Sequence, residues 1–446
     1  MRDRRPEGKP AGVPDGAKQA GETRARWSWV EPSVWTERML TALEKGVKGG
    51  KWFSLIDKVY SPRNLEAAFE RVRTNRGSAG VDHQTIAMFA DRKKQNLEHL
   101  RKSLESGSYE PREVKRVWIP KPGKRTEQRP LGIPTVRDRV AQTALRNVLE
   151  PIFEVGFAEH SYGFRPGRGC KDALRRVDQL LKQGYTWVVD ADLKSYFDTI
   201  AHDRLMQKIA AKVSDSRVLE LVGKYLTQGV METATSWTPE RGSPQGAVIS
   251  PLLSNVYLDP LDHQMADRGF KMTRYADDFV VLCRSEAEAH KALAAITQWC
   301  GEAELTLHPE KTRITDASQR GGFDFLGYHF ERGYRWPRKK SLHKLKDTVR
   351  AKTRRNNGNS MEAIIASLNR SLRGWFEYYK HSHRTTFPGL DQWIRMRLRS
   401  ILRRRRHGKG RGRGCDHQRW PNAYFAELGL FSFVAAHAEA RQSPRR

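Results

Sequence analysis

The chain has 446 residues, with 81 Lys and Arg against 51 Asp and Glu, and a formal net charge of +30. This length predicts two to four domains, and 12 Trp, 13 Tyr and 17 Phe residues exclude a chain that is disordered throughout. No apolar run approaches the roughly 18–20 residues of a membrane span, and the N-terminus lacks the apolar core of a signal peptide. The four cysteines form no Cys-x-x-Cys pair, which argues against a zinc knuckle or a disulfide framework. We therefore expect a cytoplasmic protein without membrane contact.

The positive charge is unevenly distributed along the chain. Residues 331–446 hold 29 Lys and Arg and only 8 Asp and Glu, so about a quarter of the chain carries most of the excess. Such a charge requires an anionic partner, which is nucleic acid, an anionic membrane surface or an acidic protein. The alternative is a solvated surface that keeps the protein soluble.

The first third of the chain contains a leader, helices and one hairpin. Residues 1–26 are rich in Gly, Pro, Lys and Arg without an apolar period, which predicts a disordered basic leader. Residues 27–60 are predicted to form a helical extension. Val117–Pro120 is predicted as a strand that returns through Arg129–Ile133, because a turn-rich segment separates these two apolar segments.

Two strongly apolar strands are predicted in the middle of the chain, and acids adjoin both. Trp187–Asp192 ends in two carboxylates, and Phe279–Cys283 begins directly after Asp277 and Asp278. Helices are predicted over residues 137–150, 171–183, 202–212, 251–264 and 286–301.

The chain becomes helical and basic after about residue 335. Apolar residues recur at steps of three and four, which predicts amphipathic helices over 335–405. Residues 406–446 are predicted to form a basic tail, beginning with a flexible Gly- and Arg-rich linker over 407–414.

The strongest chemical signal is Tyr275-Ala-Asp-Asp278 together with Asp192. The tetrapeptide alone could be an exposed acidic turn. An acid at the end of a buried apolar strand, however, needs a metal or another cation, because an unpaired buried carboxylate is costly. Two strands that each carry acids can together bind two Mg²⁺ ions, which prefer oxygen ligands. Two such ions hold the attacking and leaving oxygens of a phosphoryl displacement.

Seven motifs in collinear order, from about residue 61 onward, resemble reverse transcriptases, and most closely those of bacterial group II introns. They are Arg116-Val-Trp-Ile-Pro-Lys-Pro-Gly123 with Arg129-Pro-Leu-Gly-Ile-Pro134, His160-Ser-Tyr-Gly-Phe-Arg-Pro-Gly167, Val189-Asp-Ala-Asp-Leu-Lys-Ser-Tyr-Phe-Asp198, Gly242-Ser-Pro-Gln-Gly-Ala-Val-Ile-Ser-Pro251, Tyr275-Ala-Asp-Asp278, Leu307-His-Pro-Glu-Lys-Thr312 and Gly322-Phe-Asp-Phe-Leu-Gly327. The resemblance implies an α/β (α+β) right-hand polymerase, with fingers and palm over 61–330 and an all-α thumb or X domain over 335–405.

The resemblance also assigns roles to individual residues. It implies that Asp192, Asp277 and Asp278 are catalytic ligands of two Mg²⁺ ions, and that Lys311 is the acid that protonates leaving pyrophosphate. The residues that match the deoxynucleoside triphosphate site are Lys121, Arg129, Phe197 and Gln245. Phe197 matches the aromatic position that selects deoxynucleotides by clashing with a ribose 2′-hydroxyl.

Several of these residues have simpler interpretations. Phe197 could be a core aromatic and Lys311 a surface lysine. For the nearby acids Asp190 and Asp198 we favour structural hydrogen bonding, and for His308 a structural role, since metals would do the activation.

The basic C-terminal quarter resembles the thumb of group II intron maturases. In that family it grips the template–primer duplex, binds intron RNA and promotes its splicing, while the segment after the linker binds target DNA. The residues predicted to bind nucleic acid are Arg354, Arg355, Arg370, Arg373, Lys380, Arg403, Arg404, Arg405 and Arg406. No Cys-paired nuclease domain follows, so this chain resembles the class C lineage, and priming would come from another source such as a nascent DNA strand.

The resemblance predicts an RNA-directed DNA polymerase that is also the maturase of its intron and copies that intron into DNA by target-primed reverse transcription. A bacterial, nucleoid- or ribonucleoprotein-associated location in the cytoplasm follows. The alternatives are a splicing-only maturase and a domesticated reverse transcriptase of host defence or CRISPR adaptation. The retained acids argue against the first alternative, and the maturase-like C-terminal quarter argues against the second.

Overall fold

A computed structural model describes residues 25–47, 49–120, 128–232, 235–243, 246–412 and 414–442. Its strands are β1 Val114–Pro120, β2 Gln128–Ile133, β3 Trp187–Asp192, β4 Val230–Glu232, β5 Thr235–Trp237, β6 Lys271–Tyr275, β7 Asp278–Cys283, β8 Arg313–Asp316, β9 Phe323–Phe325, β10 Tyr328–Glu331 and β11 Tyr334–Pro337. Its helices are α1 Glu37–Lys45, α2 Ile56–Val59, α3 Pro62–Thr74, α4 Ile86–Asp91, α5 Lys93–Ser106, α6 Val136–Glu154, α7 Cys170–Lys182, α8 Tyr196–Thr199, α9 His202–Ala210, α10 Ser216–Leu226, α11 Ser250–Asp267, α12 Glu286–Glu302, α13 Lys339–Lys352, α14 Met361–Tyr379, α15 Thr386–Arg405, α16 Asp416–Arg419, α17 Asn422–Glu427 and α18 Phe433–Gln442.

The central sheet is antiparallel, with the strand order β6-β7-β3-β8. Both faces are covered, because alternate residues of β7 enter different cores: Phe279 and Val281 join the main core, whereas Val280 joins a second one. The predictions of these two apolar strands are confirmed. The five helices predicted between residues 137 and 301 are also present, within a few residues of their expected bounds.

A second sheet, in the order β2-β1-β4-β5, carries the predicted hairpin. Strands β1 and β2 pair antiparallel, with Val117 opposite Leu131. The N-terminal segment packs on the main core through Trp35, whose indole N–H donates to the Asn147 carbonyl of α6 at 2.9 Å. This segment therefore does not form a separate core.

A small sheet of β9, β10 and β11 connects the palm to the helical C-terminal region. Phe323 and Phe330 stack at 5.1 Å between β9 and β10. The Tyr328 hydroxyl donates to the Tyr378 carbonyl at 2.6 Å, and the Tyr378 hydroxyl donates to the Leu326 carbonyl at 2.7 Å. These reciprocal bonds fix α14 to the sheet. The predicted helical region thus begins at α13, because residues 334–337 complete this sheet as β11.

The segment predicted as a basic tail packs on the thumb helices. Phe425 and Phe433 are fully buried in the core formed by α13, α14 and α15. Asp391 of α15 accepts the backbone N–H of Phe433 at 3.0 Å, which fixes the start of α18. The prediction of a free linker over 407–414 is wrong at Gly412, whose N–H donates to the Ser400 hydroxyl of α15 at 3.0 Å.

Within the described residues, none of the helices combines the length and the apolar character that crossing a bilayer requires.

Candidate active site

Three of the predicted acids lie in one row on the central sheet. Asp192, the last residue of β3, pairs directly with Asp278, the first residue of β7. Asp190 lies two residues before Asp192 and therefore on the same face. Further along that face the second core begins, with Val188 and Val280. The carboxylates thus occupy the open end of a sheet face whose remainder is buried.

Asp277 lies in the two-residue turn that joins β6 to β7, since Tyr275 pairs with Asp278. The turn is tight, and the backbone of Ala276 adopts φ 60°, a conformation that residues other than glycine rarely adopt. Gly163 of the His160–Gly167 motif packs directly beneath it. A Cβ on Gly163 would come within 2.1 Å of the Ala276 nitrogen, so only glycine fits there.

A buried arginine supports the same turn. Arg274, the residue before Tyr275, is fully buried and pairs with Asp262 of α11 through two donor atoms, Nε and Nη2, at 2.8 and 2.5 Å. Its Nη1 donates to the Ala276 carbonyl at 2.8 Å and to Asn255 Oδ1 at 2.9 Å. Asn255 in turn donates to the Gly163 carbonyl at 2.8 Å. The turn is therefore tied to α11 from both sides.

Burial, and after it the repulsion among the acids, raises the pKa of three of these carboxylates. Desolvation, followed by repulsion from Asp190, Asp277 and Asp192, raises the pKa of Asp278 to about 7, although the residue is exposed at the open end of the sheet face. Burial also raises the pKa of Asp190 to about 6, against the opposing effect of Arg313. Burial and then the Asp192 charge raise the pKa of Asp277. The row of carboxylates therefore carries more negative charge than the neighbouring positive groups of the protein compensate.

One lysine reaches this row. Lys311 forms an ion pair with Asp192, and it lies in the loop that follows α12. The loop is fixed to the end of β3, because the His308 N–H donates to the Asp192 carbonyl at 2.7 Å. The structure thus brings Lys311 to the carboxylates. His308 supports this arrangement through its backbone N–H.

The predicted nucleotide-binding residues are only partly described. Lys121 and Gln245 lie outside the described residues. Arg129 is exposed on β2. Phe197 is half-buried against the main core, and its carbonyl accepts the Ser243 N–H at 2.7 Å. The Gly242–Pro251 motif therefore begins beside Phe197.

The predicted nucleic-acid-binding residues differ in their surroundings. Arg403 is paired with Asp416 at 2.8 Å, and Lys380 with Glu377 at 2.9 Å. Arg373 packs over the Phe431 ring at 5.0 Å. The exposed members are Arg354, Arg355, Arg370, Arg373, Arg404, Arg405 and Arg406. Arg403 to Arg405 lie in the last turn of helix α15.

The donor set fits Mg²⁺, with part of its coordination left to other groups. Across the described residues, no three His, Cys, Asp or Glu side chains are arranged as a complete metal site. Mg²⁺ characteristically binds one or two carboxylates and takes its other ligands from water and substrate phosphates. Asp192, Asp277 and Asp278 supply hard oxygen donors together with an excess of negative charge, and a Mg²⁺ ion requires both.

Comparison with known families agrees with this geometry. Residues 119–330 match the family "Reverse transcriptase (RNA-dependent DNA polymerase)", and residues 342–420 match "Group II intron, maturase-specific domain". Protein YkfC of Escherichia coli (strain K12) is 32% identical over 352 residues, covering 69% of this chain and 86% of YkfC. This chain belongs to the group II intron reverse transcriptase and maturase family. The prediction of its family, its fold and its reverse transcriptase and maturase function is confirmed.

Two further similarities cover less of their proteins. The group II intron-encoded protein LtrA of Lactococcus lactis subsp. cremoris is 35% identical over 209 residues, covering 46% of this chain and 34% of LtrA. The chain thus spans about a third of that relative. A solved structure described as a partial Cas6-RT-Cas1–Cas2 complex is 26% identical, with a TM-score of 0.36, and covers 56% of this chain and 41% of that chain. This TM-score is too low to indicate a shared overall arrangement.

The supporting residues of the turn could not be recognised as such in the sequence. Asn255 and Asp262 stand in a segment that is predicted as a helix, and Arg274 directly precedes the Tyr275–Asp278 motif. Nothing in their spacing shows that they converge. Gly163 carries a signal, since it lies inside a motif that resembles the family, but its contact with Ala276 depends on the fold.

Proposed function

We propose that this RNA-directed DNA polymerase works by a two-metal mechanism in which Asp192, Asp277 and Asp278 hold two Mg²⁺ ions. The observation that supports this most is the direct pairing of Asp192 with Asp278, beside the turn that carries Asp277. When bound, the ions activate a primer 3′-hydroxyl and stabilise the departing pyrophosphate. The three carboxylates hold the ions and fix the geometry of the displacement.

Other residues act on the incoming deoxynucleoside triphosphate. Lys121 and Arg129 bind its phosphates, where positive charge is needed, and Gln245 lines its pocket. Phe197 lies under the sugar and excludes a 2′-hydroxyl. Lys311 donates a proton to the leaving pyrophosphate, a role that its ion pair with Asp192 supports by placing the ammonium at the carboxylates.

The maturase function is proposed to act on the intron RNA that encodes this chain. The thumb helices bind that RNA and promote its splicing, and the palm then copies it by target-primed reverse transcription. The net positive charge of residues 331–446 supports binding to intron RNA, to the template–primer duplex and to target DNA. The reaction takes place in the bacterial cytoplasm.

The deciding experiment measures DNA synthesis and splicing on the same variants. Asp277→Asn should abolish extension of a DNA primer on an RNA template and leave splicing unchanged, because RNA binding does not use that carboxylate. Asp203→Asn is the matched control, since Asp203 is an exposed acid on α9. Wild-type synthesis by Asp277→Asn would refute the metal assignment.

A splicing-only maturase is the second candidate. It predicts that the wild-type chain splices but does not extend primers in millimolar Mg²⁺. The row of Asp192 and Asp278 argues against this candidate, because a chain without polymerase chemistry gains nothing from crowding carboxylates.

A further inference from the structure

A second site of strong charge lies in the thumb, away from the row of carboxylates. It is a cavity of about 180 Å³ between α13, α15 and the segment that follows α15. We call it the arginine pocket, and its principal lining residues are Arg350, Thr353, Arg355, Trp393, Arg397 and Arg411. Four of these six are arginines, and none of the described residues that line the cavity is an acid.

Two arginines of the pocket and a neighbouring lysine surround one indole ring, that of Trp393. Arg350 and Arg397 place their Cζ atoms 5.8 and 5.9 Å from the centroid of Trp393, and Lys346 places its Nζ atom at 6.0 Å. A cation–π contact at such a site contributes only about 0.5–1 kcal/mol. Three like charges around one ring therefore repel each other without full compensation from the ring itself.

The most enclosed arginine is held in a fixed orientation. Arg397 donates from Nε to the Thr353 hydroxyl at 2.7 Å and from Nη2 to the Thr353 carbonyl at 2.7 Å. Desolvation and the charges of Arg350 and Arg355 lower the pKa of Arg397. The guanidinium is thus oriented in advance, in surroundings that an anion would stabilise.

Little negative charge is available from the protein itself. Arg350 pairs with Asp347 at 2.7 Å, but that carboxylate is 71% exposed. Over the described part of the chain, neither Arg355 nor Arg411 takes part in an ion pair. Gly412 fixes the backbone next to Arg411 by its bond to Ser400, so the pocket is closed by a packed segment.

Phosphate is the anion that this geometry fits. Guanidinium groups match its oxygens with forked donors, and several converging arginines are the usual means of recognising it. All of the principal lining residues lie within 342–420, the range that matches the maturase-specific domain. We propose that the arginine pocket binds one backbone phosphate of RNA, an inference that rests on the proposed binding of intron RNA by the thumb.

The test measures RNA affinity as a function of salt, with a fluorescein-labelled RNA hairpin as the probe and the full chain as the protein. Arg397→Gln and Arg355→Gln should each weaken binding by roughly 10-fold and reduce the salt slope by about 0.7–0.9, the value of one lost phosphate contact. Arg38→Gln, on the exposed surface of α1, removes the same charge elsewhere and should leave the slope unchanged. Equal slopes for Arg397→Gln and Arg38→Gln would overturn the proposal.

Three further measurements separate the possible outcomes. A DNA hairpin of the same sequence should show a smaller loss than the RNA hairpin, and an equal loss would overturn RNA as the occupant. Inorganic phosphate should raise the melting temperature of the wild type more than that of Arg397→Gln, and no difference would also count against the pocket. The circular dichroism spectra of both variants should match that of the wild type, which shows that they fold.

Failure of the inference can be distinguished from failure of the proposed function. If the wild-type chain does not bind the RNA hairpin at all, the proposed RNA binding by the thumb fails. If the wild type binds and Arg397→Gln binds with the same slope, only the arginine pocket fails.

Discussion

The guanidinium of Arg274 and the carboxylate of Asp262 form a buried pair, with contacts of 2.8 and 2.5 Å, directly behind the turn that carries Asp277. The same guanidinium donates to the Ala276 carbonyl. A buried ion pair contributes little net stability by itself, but loss of one partner leaves an uncompensated charge. Its position here couples the palm helix α11 to the backbone that presents Asp277.

Removal of Arg274 should therefore destabilise the protein strongly. Arg274→Ala leaves Asp262 buried without a partner and should lower the free energy of unfolding by about 3–5 kcal/mol. Urea denaturation of the full chain measures this loss. Arg268→Ala, an exposed arginine at the end of α11, should change it by less than about 0.5 kcal/mol.

Arg274→Lys separates positioning from stability. Lysine keeps the positive charge beside Asp262. Its single ammonium group, however, cannot also donate to the Ala276 carbonyl and to Asn255, as the planar guanidinium of arginine does. This variant should fold, yet its kcat for DNA synthesis should fall by more than its KM for nucleotide changes. Wild-type kcat in Arg274→Lys would show that the bond to Ala276 does not position the turn.

The contact between Gly163 and the turn that carries Asp277 gives a second prediction. In Gly163→Ala the new Cβ would meet the Ala276 nitrogen at 2.1 Å, so the turn must move. A displacement of about 1 Å at the reacting groups costs roughly 100-fold in rate, and DNA synthesis should fall by that order. Single-turnover primer extension measures the effect.

The control for Gly163→Ala is another Gly→Ala change. Gly223 lies in helix α10, and a Cβ there would meet nothing within 4 Å. Gly223→Ala should leave the rate unchanged and stabilise the chain by up to about 1 kcal/mol. A similar rate loss in both variants would mean that the contact beneath the turn is not the cause.

The sequence was sufficient for the parts of this fold that depend on local pattern. Runs of apolar residues predicted β3 and β7, and the acids beside them predicted where Asp192 and Asp278 would lie. The hairpin of β1 and β2 also followed from apolar segments around a turn. Each of these features depends on alternation or on short-range turn chemistry, which neighbouring residues encode.

The parts that the sequence could not predict depend on contacts between distant segments. Arg274 meets Asp262 and Asn255 only because α11 packs across β6. The tail was predicted from its basic, Gly-rich composition as a basic segment that begins with a flexible linker, and this composition did not reveal that Phe433 lies in the thumb core. Composition describes a segment by itself, whereas burial depends on the surface that the segment meets.

The proposed role of Phe197 in selecting the sugar provides a third prediction. If Phe197 lies under the incoming sugar, Phe197→Ala removes the clash with a 2′-hydroxyl, and discrimination against ribonucleotides should fall by roughly 10-fold or more. Competing extension with deoxy- and ribonucleotides measures the ratio of kcat/KM values. If Phe197 is only a core aromatic, stability falls and the ratio does not change.

A fourth prediction concerns the role of Phe433 in the thumb. Its ring contacts Trp375 of α14 at 5.4 Å and Phe387 of α15 at 6.1 Å. Phe433→Ala should destabilise the thumb by about 3–5 kcal/mol, and amide exchange in α14 should speed up accordingly. Val434→Ala, at a position that is 45% exposed, should leave this exchange unchanged. Unaltered protection in Phe433→Ala would show that the tail is a separate unit.

The fifth prediction links the carboxylate row to metal removal. Because Asp190, Asp192 and Asp277 repel Asp278, the wild-type chain should melt at a lower temperature in EDTA than in millimolar Mg²⁺. Asp278→Asn removes part of that repulsion, so it should melt higher than the wild type in EDTA and gain less from Mg²⁺. Asp203→Asn should behave like the wild type in both conditions. An equal gain from Mg²⁺ in Asp278→Asn and Asp203→Asn would show that the metal does not act through this row of acids.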